Sequence, residues 1–180
     1  MEAEGREGGE GEEAMRMLAA TLVAFALFAG APAKAAETGN VFDFSVGVFD
    51  MLDDDSAAEV RAEWRGKPVL WWLRPMVGLM GTSDSSGYAY AGLALEVWWL
   101  DKRVVLTPSA AVGAYHKGDG KDLGHTLEFR TGASLHYRFD NDVRVGIAFH
   151  HLSNAGLGKN KKNPGAESLL LSYVIPLGPR

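Results

Sequence analysis

The chain of 180 residues has room for one domain, and its lack of cysteine excludes both a disulfide framework and a thiolate metal site. The net charge of −5 is local: residues 1–14 hold six Glu against one Arg, whereas the stretch from Ala36 onward is nearly balanced, with 17 acidic and 15 basic residues. No basic footprint for nucleic acid is left once the acidic start is set aside.

Residues 1–14 read as an acidic leader outside the fold. Met15-Arg16-Met17 is a short positive start, Leu18 to Phe28 is an apolar run, and Ala33-Lys34-Ala35 places small residues where a signal peptidase reads them. This order predicts a signal peptide over residues 15–35, cleaved after Ala35, with the folded domain over 36–180. The apolar run is too short to span a membrane as a helix; the competing reading is a buried core helix. An acidic leader sits badly before such a signal, so the expectation is that translation starts at Met15 or Met17.

From Asn40 the apolar period is two. Val41–Phe49 alternates apolar Phe42, Phe44, Val46 and Val48 with Asp43, Ser45 and Gly47, and Ala58–Arg65 alternates Val60, Ala62 and Trp64 with Glu59, Arg61 and Glu63. Less regular strands follow at Leu70–Met80, Tyr88–Trp99 and Val104–Tyr115. Clean alternation returns at Leu127–Phe139 and Val143–Phe149, and Glu167–Leu177 is the eighth strand. Connections run long and short in turn. Tight turns are expected at Gly66-Lys67-Pro68, Asp101-Lys102-Arg103 and Asp140-Asn141-Asp142, and longer polar loops at 50–57, 81–87, 116–124 and 155–166.

The predicted fold is all-β: an eight-stranded antiparallel transmembrane β-barrel. One face of the strands carries charges of both signs, among them Glu59, Arg61, Glu63, Arg74, Glu96, Glu128, Arg130, Arg138 and Arg144. Eight strands enclose only enough space for side chains, so this set forms a packed polar interior. The other, apolar set faces lipid, with Trp64, Trp71, Trp99, Tyr137, Phe139 and Tyr173 forming an aromatic belt at the short-turn end. A soluble ligand-binding barrel would need the opposite polarity, apolar within.

Carried forward, the alternation of the seventh strand puts His151 and Ser153 on the lipid face, and that of the eighth does the same for Glu167. Polar groups there are unfavourable unless paired. A Ser, a His and a carboxylate within mutual reach fit a nucleophile, its base and the group that orients the base. The plainer reading is a polar barrel rim emerging into the headgroup zone. His150 and His136 fall on the interior set, and the five His have no metal-ligand spacing. Asp53-Asp54-Asp55 lacks the rest of a calcium loop and reads as a solvated segment.

The stretch His151-x-Ser153-Asn154-Ala155, followed by Asn163-Pro164-Gly165-x-Glu167, resembles the signature of the lipid A 3-O-deacylase family. The close match covers about the last thirty residues; elsewhere strand pattern and length agree. The resemblance implies an eight-stranded barrel in the bacterial outer membrane that removes the ester-linked acyl chain at the 3 position of lipid A in lipopolysaccharide. It implies Ser153 as nucleophile, His151 as general base and Glu167 as orienting acid, with Asn154 and Asn163 holding the substrate or the oxyanion. Lys159, Lys161 and Lys162 lie in a somewhat longer loop than the family's and either contact lipid A phosphates or form a solvated loop. The chemistry requires no cofactor. The expected partners are lipopolysaccharide and outer-membrane lipid, with room for a homodimer. The alternative is a non-catalytic outer-membrane barrel with a structural or surface role.

Overall fold

The computed structural model describes residues 39–53, 56–70, 72–159 and 162–177, so the leader and signal-peptide expectations lie outside the described residues. The strands are β1 (Asn40–Phe49), β2 (Ala57–Arg65), β3 (Leu73–Thr82), β4 (Gly87–Leu95), β5 (Val97–Trp99), β6 (Val104–His116), β7 (Leu127–Arg138), β8 (Arg144–Ser153) and β9 (Ala166–Leu177). β1 to β4 pair antiparallel in sequence order, β4 and β5 both pair with β6, β6 to β9 again pair in sequence order, and β9 pairs with β1, so the sheet closes and no edge is left to template another chain. Among the described residues no helix is long and apolar enough to cross a membrane; the long elements are strands.

β4 and β5 are one strand of the barrel. Ala94 opposes Ser109 and Val97 opposes Leu106, so the register runs through the interruption unchanged. Leu95 therefore lies opposite Pro108, which has no N–H to donate, and the ladder lapses there. The barrel thus has the eight expected staves. Two boundaries differ from expectation by more than two residues: the seventh strand runs on past Phe149 to Ser153, and the third begins at Leu73, not Leu70. Val69 N donates to Leu73 O (2.9 Å) and Leu73 N to Leu70 O (2.9 Å), so this segment folds on itself before pairing with β2.

Alternation sorts the side chains as the period-two pattern requires. Glu59, Arg61, Glu63, Arg74, Glu96, Glu128, Arg130 and Arg144 are all buried inside. Most of them pair with an opposite charge, though neither carboxylate oxygen of the buried Glu128 has a hydrogen-bond partner among the described residues: Glu63 meets Arg130 (2.8 Å) and Arg65 (3.1 Å), and Glu96 meets Arg74 (3.0 Å) and Arg144 (2.7 Å). Arg65 also bonds Asp43. Such pairs hold only because each charge has a partner, and orphaning one costs about 3–5 kcal/mol. Nearer the long loops the interior is apolar, with Phe49, Met80, Tyr88, Tyr115, Leu123 and Leu152 packed together. Phe44, Val46, Val60, Val77, Leu79, Leu135, Ile147 and Leu171 are exposed on the outer wall, the apolar surface that lipid covers. Tyr137, Phe139 and Tyr173 lie outside at the short-turn end; Trp71 is outside the described residues.

Candidate active site

β8 and β9 are adjacent antiparallel strands, and their register sets His151 directly opposite Glu167. Both side chains point to the outer wall. On the same face, the next rung toward the membrane interior is Phe149 opposite Leu169, both exposed apolar residues. His151 Nδ1 and Glu167 Oε1 lie 2.9 Å apart, with the two side chains 42% and 24% exposed. A carboxylate can only accept, so Nδ1 carries the proton and Nε2 is left as a base. The backbone of Glu167 is tied down on its other side, where its carbonyl accepts from Met51 N (3.1 Å).

Ser153 ends β8 on the same face, two residues beyond His151, which sets their Cα atoms roughly 6.6 Å apart. It opposes Phe129 of β7. Among the described residues, no hydrogen bond joins Ser153 Oγ to His151. Catalytic hydrogen bonds in ligand-free structures are often loose and tighten only around substrate.

Gly165, part of the Asn163-Pro164-Gly165 motif, packs against the imidazole of His151. Its φ is +66°, and a Cβ at this position would lie 2.8 Å from His151 Cε1 and 3.5 Å from Nε2. The Nε2 edge of the imidazole therefore rests against a backbone that only glycine leaves open. The turn Asn163-Pro164-Gly165 was the available signal, but its contact with a ring fourteen residues earlier requires the β8–β9 register.

Asn154 is fully buried and its amide is already in use. Its Nδ2 donates to Leu123 O (2.6 Å) and Lys162 O (2.9 Å), and its Oδ1 accepts from Gly156 N (2.9 Å). It thereby fastens the 154–165 loop to the 117–126 loop. Asn163 Oδ1 accepts from Asn154 N (2.9 Å), the amide next after Ser153, so Asn163 is fixed close to the serine. Lys159 and Lys162 are exposed, and Lys162 Nζ lies 3.7 Å from Asp122 Oδ2; Lys161 lies outside the described residues. Asp122 is held below the usual carboxylate range by the backbone N–H of Gly124 and then by the charge of Lys162. Across the rim, Lys121 bonds Asp50 (2.7 Å) and Asp53. Among the described residues no group of three His, Asp or Glu is arranged to hold a metal ion.

Comparisons with known proteins agree with the fold. The fold matches a crystal structure titled as the outer membrane enzyme PagL, at 24% identity and a TM-score of 0.55, covering 76% of this chain and 99% of that one. It also matches a de novo designed transmembrane β-barrel, at 12% identity and TM-score 0.57, covering 80% of this chain and all of that one. Neisserial surface protein A matches at 12% identity and TM-score 0.52, with the same coverage. No curated protein sequence matches the chain. These likenesses establish the fold. Residues 57–176, which include β8, β9 and the loop between them, match the family model described as lipid A 3-O-deacylase (PagL), so the chain is an outer-membrane β-barrel that belongs to that family.

Proposed function

We propose that this chain hydrolyses the 3-O-linked acyl ester of lipid A through Ser153, His151 and Glu167 on the lipid-facing wall. The observation that carries the reading is the 2.9 Å His151–Glu167 pair on the outside of the barrel, with Ser153 on the same face. A polar pair on a wall otherwise apolar is unfavourable unless it serves something.

Ser153 Oγ attacks the ester carbonyl while His151 Nε2 takes its proton. The tetrahedral intermediate collapses, and the proton passes to the sugar oxygen that leaves. Water, deprotonated by the same nitrogen, then releases the fatty acid from Ser153. Glu167 keeps the imidazole in the required tautomer and stabilises the imidazolium. Asn163, pinned through its Oδ1, has its Nδ2 hydrogens left to offer the oxyanion, whereas Asn154 acts by bracing the loop. The outward face lets the substrate stay in the bilayer while its ester reaches the serine. Lys159 and Lys162 stand in the loop above and would meet the phosphates of the headgroup, and the same role is proposed for Lys161. Neither the fold nor the comparisons support the homodimer expected above, and all three site residues come from one chain.

The test is mass spectrometry of lipid A after incubating lipopolysaccharide with the full chain in detergent, with Ser153→Ala beside it. Loss of one hydroxyacyl chain with the wild type alone supports the reading. An unchanged lipid A, with the barrel folded, moves the assignment to a non-catalytic barrel.

A further inference from the structure

Behind the outer pair lies a second set of residues on the inner face of the same strands. His150 and Ser168 are cross-strand partners one residue away from His151 and Glu167, and both point inward. From β2, on the far side of β1, Arg61 Nη1 reaches His150 Nδ1 (2.7 Å), and Arg61 Nη2 donates to Glu59 Oε1 (2.5 Å). Glu59 Oε2 accepts from Ser168 Oγ (2.6 Å). All four residues are at least nine-tenths buried. The intervening strand presents Ser45 and Gly47 inward at this level, so no bulky side chain blocks the crossing. On the opposite side of His150, Gly132 makes room for the ring: a Cβ there would stand 2.7 Å from His150 Cδ2.

A guanidinium can only donate, so His150 Nδ1 must be the acceptor and this imidazole is neutral, with its proton on Nε2. Every role in the chain is thus fixed: Arg61 donates to both His150 and Glu59, and Glu59 accepts from both Arg61 and Ser168. This chain of bonds fastens the two strands that carry the outer pair to a third strand across the interior. The charged members of the clamp pair with each other, so neither is orphaned by its own burial.

We propose that Arg61 and Glu59 are positioning residues for the esterase site: by gripping His150 and Ser168 from inside, they hold His151 and Glu167 at the spacing their hydrogen bond needs. The proposal rests on the proposed Ser153–His151–Glu167 site. It acts through the backbone, one residue per strand, and touches no substrate.

The experiment measures kcat and KM for lipopolysaccharide deacylation by the full chain in detergent, normalised to folded barrel by its heat-modifiable electrophoretic mobility. The variants are Ser168→Ala, Arg61→Lys and the double change Glu59→Gln with Arg61→Met. The double change removes both charges at once and so orphans neither; Ser168→Ala removes a single hydrogen bond and keeps the fold. The expected result is a kcat lower by about tenfold in the double variant and by a smaller factor in Ser168→Ala, with KM little changed. Arg61→Lys, which keeps a donor, recovers part of the loss. Unchanged kcat in folded Ser168→Ala and in the folded double variant overturns the proposal. So does a loss that vanishes on normalisation, because the clamp then serves stability alone. If the double variant does not fold, Ser168→Ala and Arg61→Lys decide. Ser153→Ala is run in parallel: activity surviving there refutes the esterase site itself, whatever the clamp variants do.

Discussion

Replacing Gly165 with alanine tests the candidate site without touching any residue assigned a chemical role. Two penalties follow from the geometry. A φ of +66° costs a non-glycine residue about 1–2 kcal/mol. The new methyl would also stand 2.8 Å from His151 Cε1, well inside ordinary carbon–carbon contact. The ring is the far end of a rotatable side chain, so it yields before the backbone does. A movement of about half to one ångström breaks the 2.9 Å contact with Glu167 and turns Nε2 away from Ser153. Misplacement on that scale costs about ten- to a hundredfold in rate. The assay is deacylation of lipopolysaccharide at saturating substrate, with folding checked by heat-modifiable mobility. We expect a folded barrel with kcat reduced by that factor and KM nearly constant. A folded Gly165→Ala protein with wild-type kcat would refute the argument that this glycine confines the imidazole.

Three further outcomes follow. Glu63→Leu strips Arg130 of its carboxylate and leaves Tyr90 OH without its acceptor, at about 3–5 kcal/mol; urea unfolding in detergent should show a large drop in midpoint, and an unchanged midpoint would contradict the paired-interior account. Asn154→Ala leaves two carbonyls and an amide N–H without partners, about 1–3 kcal/mol confined to the loops; trypsin should then cut faster at Lys159 and Lys162 while the barrel stays folded. The rim contacts should be insensitive to pH across the neutral range. Burial opposes the charge of Lys121, but its hydrogen bonds to Asp50 and Asp53 outweigh this and raise its pKa, so its contribution persists below 10.5 and is lost only as pH rises through the raised value. Asp122 is lowered, so its contribution is present above 3.8 and is lost as pH falls through the depressed value. Amide exchange of residues 117–126, corrected for its intrinsic pH dependence, should give constant protection from about pH 5 to 9; loosening near neutrality would show that another group controls the loop.

The alternation of Val143–Phe149 was enough to place His151 and Ser153 outside the barrel, because a strand has only two faces and its period leaves no third choice. The inward charges were legible for the same reason. Their partners were not: Arg61 meets His150 from 89 residues away, and only closure and register decide which charge meets which. The lapse between β4 and β5 also needed register, since Pro108 matters only once Leu95 is known to lie opposite it. The start of β3 at Leu73 depended on a local hydrogen-bonded fold-back that the apolar run from Leu70 concealed. The resemblance implies Asn154 as an oxyanion or substrate-positioning residue; the hydrogen bonds of its side chain to Leu123 and Lys162 could be seen only once the two loops were brought together.

The height of the site on the wall bears on both its cost and its use. Ser153 is the last residue of β8 and Glu167 the second of β9, so the trio sits one or two rungs below the loops. At this depth water and headgroups still reach one side of each polar group, and the penalty for a carboxylate on the lipid face is far smaller than at the bilayer midplane. One outward rung deeper, Phe149 and Leu169 mark the start of unbroken apolar wall. An acyl ester in a bilayer has its carbonyl at this same boundary, with the sugar above and the chain below. A serine placed two residues deeper would have to draw the headgroup into hydrocarbon, and one placed in the loops would have to pull the chain out of it. If Ser153 is the nucleophile, as proposed, its position at the strand end avoids both costs, which is a physical reason for placing such a site on the outside of a barrel whose interior is already filled with side chains.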